Sequence, residues 1–310
     1  MIKRMGAAFP LLMAVFCSQL AAQGLTGGGV RFNGYLQPRS EMTDDSAVFY
    51  LHRARIGLQG QAASWAEYRL LTEWRSGAAS TVSLLDAYVQ LSEGRWTFIL
   101  GQSKTPFSRD FLQNEYEMEM PELPMVVEAL APNRDIGAKA EYRGVRRVVL
   151  QGGVFNGEGQ NRTSNNNRRF LLLARGVVTM HPGFEIGAAG GMEDNEDYLG
   201  LEAAYSRRAI ELRGEYIRRT IGAGAGNTAV GWYAFGGWMQ RRGRMQLVGR
   251  VEQFDPDNTS AGDRLMAITG GAQWLLRGEN VKVQTTYTIV NEETGSIPNN
   301  RAVAQFQIRF

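Results

Sequence analysis

A chain of 310 residues with 34 Lys+Arg against 31 Asp+Glu has too even a charge to suggest a nucleic-acid surface or an acidic tail. Glycine is frequent at 37 residues and proline scarce at 9, which suits strands joined by turns. Beyond the N-terminus no apolar run approaches the roughly 20 residues of a membrane helix, so if this chain spans a membrane it does so as a β-barrel.

The first residues have the layout of a secretory signal: Lys3 and Arg4, an apolar run over 5–16, then small residues ending at Ala21, Ala22 and Gln23. A signal peptide over 1–22 is expected, followed by a barrel over 23–310. An N-terminal anchor is the alternative, and the short apolar core opposes it. Cys17 falls inside the leader, and Phe16 before it is too bulky for lipid attachment. The remaining chain has no cysteine and must be held by hydrogen-bonded ladders.

Period-two alternation then recurs along the chain. In residues 30–37, Val30, Phe32, Gly34 and Leu36 share one face; Arg31, Asn33, Tyr35 and Gln37 share the other. Over 50–59, Tyr50, His52, Ala54, Ile56 and Leu58 take the lipid-facing parity, with Arg53, Arg55 and Gln59 opposite. Residues 65–75 set Tyr68, Leu70 and Trp74 against Glu67, Arg69, Glu73 and Arg75. Residues 84–91 set Leu85, Ala87, Val89 and Leu91 against Asp86, Tyr88 and Gln90. Near the end, Ala302, Ala304, Phe306, Ile308 and Phe310 oppose Arg301, Gln305, Gln307 and Arg309, and the terminal aromatic is what barrel-assembly machinery recognises. Repeated Arg and Glu at strand centres suit a wet lumen better than the dry core of a sandwich.

The predicted strands are 29–38, 46–60, 65–75, 82–92, 96–102, 136–142, 148–155, 169–180, 184–192, 197–206, 209–220, 230–240, 244–255, 264–276, 280–291 and 301–310, about sixteen in all, with fourteen to eighteen allowed. Even-numbered strands end in short turns such as 61–64, 93–95, 181–183 and 207–208. The other connections, 39–45, 156–168, 221–228, 256–263 and 292–300, are longer and polar. That asymmetry places the N-terminus on the periplasmic side of an outer membrane, with the longer loops meeting lipopolysaccharide.

One stretch breaks the rhythm. Residues 101–137 contain four prolines, an acidic middle with Glu115, Glu117, Glu119 and Glu122, and many apolar side chains including Phe107, Phe111, Met118, Met120 and Val126. Its apolar content argues for packing, so the third outward loop, about 103–135, is expected to fold into the barrel and narrow it. An external cap over the mouth is the alternative.

The segments 32–39 (FNGYLQPR), 49–61 (FYLHRARIGLQGQ), 84–91 (LLDAYVQL), 101–112 (GQSKTPFSRDFL), 132–142 (PNRDIGAKAEY), 152–161 (GGVFNGEGQN) and 250–258 (RVEQFDPDN) resemble, in order and spacing, the phosphate-selective porin O and P family. The resemblance implies an all-β, sixteen-stranded homotrimeric porin whose third loop folds inward and whose basic residues conduct small anions such as phosphate. This chain is shorter than the pattern and more acidic in its third loop, and only Lys104 matches a phosphate-binding lysine.

Candidate pore-lining residues are Arg53, Arg55, Arg69, Arg75 and Lys104, with Arg109, Arg134, Lys139, Arg213 and Arg250. Rings of Arg or Lys favour anions, and neighbouring carboxylates weaken that field, so a weakly selective general porin stays open beside a phosphate channel. A plugged structural or adhesion barrel is the third possibility. Catalysis is not expected: of the two histidines, His52 has the lipid-facing parity and His181 lies in a turn. No His/Cys cluster has metal-ligand spacing, and no cofactor or nucleic-acid partner is implied. The acidic residues over 193–197 and 255–258 are expected to form solvated loops.

Overall fold

A computed structural model of the chain describes residues 29–76, 81–165, 167–222, 227–240, 243–294 and 299–310. The expected signal peptide, the connection 223–226, turn residues 241–242 and the tip 295–298 lie outside the described residues.

Sixteen strands follow one another: β1 Arg31–Thr43, β2 Ala47–Ala63, β3 Ala66–Arg75, β4 Thr81–Glu93, β5 Trp96–Lys104, β6 Arg134–Tyr142, β7 Val148–Phe155, β8 Leu171–His181, β9 Phe184–Glu193, β10 Glu196–Arg207, β11 Ile210–Ile221, β12 Asn227–Met239, β13 Met245–Asp255, β14 Leu265–Leu275, β15 Val281–Glu292 and β16 Arg301–Arg309. Each pairs antiparallel with its sequence neighbours, and β16 returns to β1 to close the barrel. Closure leaves no unpaired edge, which a sheet surrounded by hydrocarbon requires. Two short helices, α1 Arg109–Leu112 and α2 Met125–Leu130, lie in the connection between β5 and β6.

The alternation is realised as expected in the last strand: Phe306, Ile308 and Phe310 are exposed, whereas Gln305 and Gln307 are buried on the inner side. Trp65, Trp96, Trp238 and Trp274 are exposed near the short-turn ends of their strands, with Trp96 packed on its cross-strand partner Tyr142 at 4.5 Å. Such a ring of indoles is stable where hydrocarbon meets head groups.

Four expectations are corrected. The first long-side connection is not a loop over 39–45: β1 continues to Thr43 and β2 resumes at Ala47, so Arg39 is a strand residue. Pro38 has no N–H for the ladder, and a bulge between Gln37 and Pro38 absorbs the defect, with Gln37 opposite Arg53 and Pro38 opposite Leu51. The bulge resets parity, so Tyr50 and His52 line the inner cavity beside Arg39 instead of facing lipid. A second bulge, on β4 opposite Leu71 and Thr72 of β3, buries the unpaired Leu85 and gives Leu84 the outward position. The acidic run 193–197 is not a solvated loop either, since Glu193 ends β9, Glu196 begins β10, and the turn holds only Asp194 and Asn195. Asp194 takes the left-handed φ of 48° that so tight a turn demands.

Candidate functional site

The connection over 105–133 crosses the interior of the barrel. Its apolar residues supply one side of the internal cluster: Phe107, Phe111, Met120, Val126, Val127 and Leu130 pack on Phe155, Leu173, Ile217, Tyr233, Phe235 and Val248 of the β7–β13 wall. Burial of each large side chain contributes about 1.5–3 kcal/mol, which is why so irregular a segment stays folded. The wall makes room with glycine. A Cβ on Gly231 of β12 would lie 2.8 Å from Val126 Cγ2, and one on Gly200 of β10 would lie 3.1 Å from the Phe107 ring.

Polar contacts fix the same segment at its turning points. Ser108 caps α1 by accepting from the Phe111 amide at 3.2 Å. Glu215 of β11 accepts from Ser108 Oγ at 3.0 Å, from the Asp110 and Arg109 amides at 2.8 and 3.2 Å, and from the Tyr233 hydroxyl at 3.1 Å. Further on, Lys282 Nζ of β15 donates to Met118 O at 2.7 Å and Gln284 Nε2 donates to the same oxygen at 2.8 Å. Arg39 of β1 pairs with Glu122 and donates to Pro121 O at 3.0 Å, while Arg250 of β13 reaches Glu122 O at 2.9 Å. Glu252 accepts from the Met125 amide at 2.6 Å at the start of α2.

Most candidate residues gather on the β2–β6 wall. Arg55 Nε donates to Glu73 at 2.6 Å and its Nη1 lies 2.6 Å from Glu115. Arg69 and Arg134 share Asp86, at 3.2 and 2.9 Å. Lys104 donates to Gln113 O at 2.6 Å and sits 3.3 Å from Glu115. Arg75, half exposed, reaches the second oxygen of Glu73 at 2.6 Å. Two cations are held more loosely: Arg53 contacts Gln37 at 3.2 Å and approaches Glu73 only to 3.9 Å. Lys139 donates to Lys104 O at 2.5 Å and has no carboxylate at ion-pair distance among the described residues. Glu115 is thus a carboxylate in a cationic nest. Burial would push its carboxyl up, yet Lys104, Arg55, Arg134 and Arg53 outweigh that and hold it well below the usual range.

The remaining candidates lie apart from that nest. Arg109 bonds Glu185 at 2.8 Å, and Arg213 is surrounded by Asp110, Glu119 and Glu211 at 2.9, 2.6 and 2.8 Å. Arg250 pairs with Glu252 at 2.9 Å. These three tie the crossing segment or neighbouring strands together, and their charges are matched locally.

Sequence reasoning missed Arg39, which it placed in a loop, and the inward turn of Tyr50 and His52. Pro38 within an alternating stretch was the available signal of a bulge.

The family model described as phosphate-selective porin O and P matches residues 28–182. No curated protein matches the sequence. Among solved structures, the in-vitro folded OmpT outer membrane protein of Vibrio cholerae in trimer form is similar at a TM-score of 0.72 and 11% identity, covering 92% of this chain and 100% of that one. Salmonella typhi OmpF in complex with daunomycin is similar at 0.70 and 13% identity, covering 92% and 98%. A variant of the Rh. blastica porin gives 0.64 and 17%, covering 91% and 100%. With half of its length under the family model and a closed barrel of sixteen antiparallel strands, the chain belongs to the phosphate-selective porin O and P family and is a porin of the bacterial outer membrane.

Proposed function

We infer that this barrel passes small hydrophilic solutes through a narrow path along the β2–β6 wall, with a mild preference for anions. The observation that carries the reading is the cluster of cations there: Arg53, Arg55, Arg69, Lys104, Arg134 and Lys139 gather around Glu73, Asp86 and Glu115, while Glu67 and Glu141 of the same wall lie toward the short-turn ends of β3 and β6. Most of these cations are partly neutralised by a carboxylate at contact distance, which supports weak selectivity over a dedicated phosphate filter. The segment 105–133 acts as the constriction. The trimer form of the Vibrio cholerae structure supports a homotrimer here. Lipopolysaccharide around the longer loops and the barrel-assembly machinery at the C-terminal strand complete the expected partners.

A more restrictive reading has one observation in its favour. The crossing segment bonds to β1, β11, β13 and β15, which lie on different sides of the wall, so it divides the lumen as well as narrowing it. Reversal potential in planar bilayers across a KCl gradient decides between the readings. A small potential of anion-selective sign is expected. Zero conductance would replace the channel by a plugged barrel, and a cation-selective sign would mean that the carboxylates dominate.

A further inference from the structure

Where β16, β1 and β2 meet, the inner wall presents a row of cross-strand neighbours: Arg309 lies opposite Tyr35, and Tyr35 opposite Arg55. They line a cavity of ≈ 190 Å³ on the short-turn side of the crossing segment, walled also by Leu71, Glu115 and Tyr116. Two features of this cavity are unused by the contacts described above.

The first is Arg309. Its guanidinium carbon lies 3.9 Å from the centroid of the Tyr116 ring, so one face is stacked on the aromatic and the N–H edge remains in plane. Arg55 is held by Glu73 and Glu115, and Arg69 by Asp86, but the Arg309 side chain makes no hydrogen bond or ion pair among the described residues. The second is Tyr35, only 5% exposed, with its ring edge-on to Tyr116 at 5.9 Å. Tyr35 lines the same cavity, and its hydroxyl, buried behind the ring, has no hydrogen-bond partner among the described residues. A buried donor without an acceptor is costly, and the cost is removed by whatever supplies one.

A free planar fork and a free hydroxyl beside the apolar surfaces of Leu71, Tyr35 and Tyr116 complement a planar carboxylate carried on an apolar body. Inorganic phosphate fits less well. It presents no apolar surface to those walls, and as a dianion it is repelled by the Glu115 carboxylate on the same cavity. We propose that this cavity is a subsite for small organic monocarboxylates, with the carboxylate on Arg309 and Tyr35 and the body against Leu71 and the two tyrosine rings. The subsite rests on the channel reading only for the route by which a solute reaches it.

Calorimetry with the folded full-length barrel in detergent tests the site whether or not the pore conducts, with benzoate as probe and phosphate as comparison. Benzoate is expected to bind more tightly than phosphate. Tyr35→Phe, which removes only the hydroxyl, and Arg309→Lys, which keeps the charge but not the fork, should each weaken benzoate about tenfold. Absence of benzoate binding, or equal affinity in the parent and both variants, overturns the subsite. KCl conductance of the same preparations reads the channel separately. Loss of conductance with benzoate binding intact would sink the channel and support the subsite, and normal conductance without binding would do the reverse.

Discussion

The Glu115 carboxylate of the crossing segment lies 2.6 Å from the Arg55 guanidinium of β2, with Lys104 at 3.3 Å and Arg134 at 3.6 Å. One negative charge therefore screens at least three positive ones along the proposed path. Two unit charges at about 4 Å interact by about 4 kcal/mol in a partly solvated protein, so deleting this carboxylate changes the local field substantially. Glu115→Gln should move the KCl reversal potential further toward anion preference. An unchanged potential would place the ion path elsewhere in the barrel.

The same carboxylate sets a pH dependence. Although burial opposes its ionisation, the surrounding cations depress its folded-state value below that of the unfolded chain. The stability it lends to the docked segment is then complete above the unfolded carboxylate value of about 4.3, and is lost as pH falls through the lower folded value. The contribution of Glu115, read as the difference between the parent and Glu115→Gln, should stay flat from about pH 8 to about pH 5 and be lost only in stronger acid. A parent-minus-variant difference that titrates with a midpoint near about pH 6 would contradict this assignment.

Cations with close carboxylate partners should matter less for selectivity than loosely held ones. Arg175 makes a two-pronged contact with Glu202, at 3.0 and 2.6 Å, whereas Arg53 and Lys139 have no such partner. Neutralising Arg53 or Lys139 with Gln should shift the reversal potential toward zero. The paired replacement of Arg175 and Glu202 by Gln should leave it nearly unchanged. A larger effect from the matched pair would refute the proposed path.

Docking of the segment depends on its apolar contacts. Phe107 is 1% exposed, edge-on to Tyr198 at 6.2 Å and seated over Gly200. Phe107→Ala removes that ring from a packed cluster, at a cost of about 3–5 kcal/mol. The barrel ladders are untouched, so heat-modifiable migration on gels should persist while proteolysis within 105–133 and conductance noise both increase. Loss of the folded gel form instead would mean that segment and barrel fold as one unit.

Much of this architecture was legible because period-two alternation has one meaning when every strand meets lipid on one side and water on the other. All sixteen predicted segments correspond to strands, and the apolar residues of 105–133 are buried against wall residues of β7–β13. Two bulges escaped the reading, the first signalled only by Pro38 and the second by no residue type. A one-residue insertion leaves the residue types unchanged while reversing which face they occupy, so Tyr50, His52 and Leu85 were assigned to the wrong side. The candidate site was legible as a set of cations, but not as partners. That Arg213 is tied up by Asp110 and Glu119 while Lys139 stands apart depends on how an irregular segment folds back, and no periodicity encodes that.

The handholds of the crossing segment on β1, β11, β13 and β15 also bear on the mechanics of the wall. A hollow cylinder of hydrogen-bonded strands resists stretching along its ladders but yields easily to squeezing, since ovalisation breaks no ladder bond. An internal tie between distant staves changes that. Flattening this barrel in one direction must pull Arg39 or Lys282 away from the backbone oxygens they hold, so lateral pressure from the bilayer is carried in part by the irregular segment and not by the ladders alone.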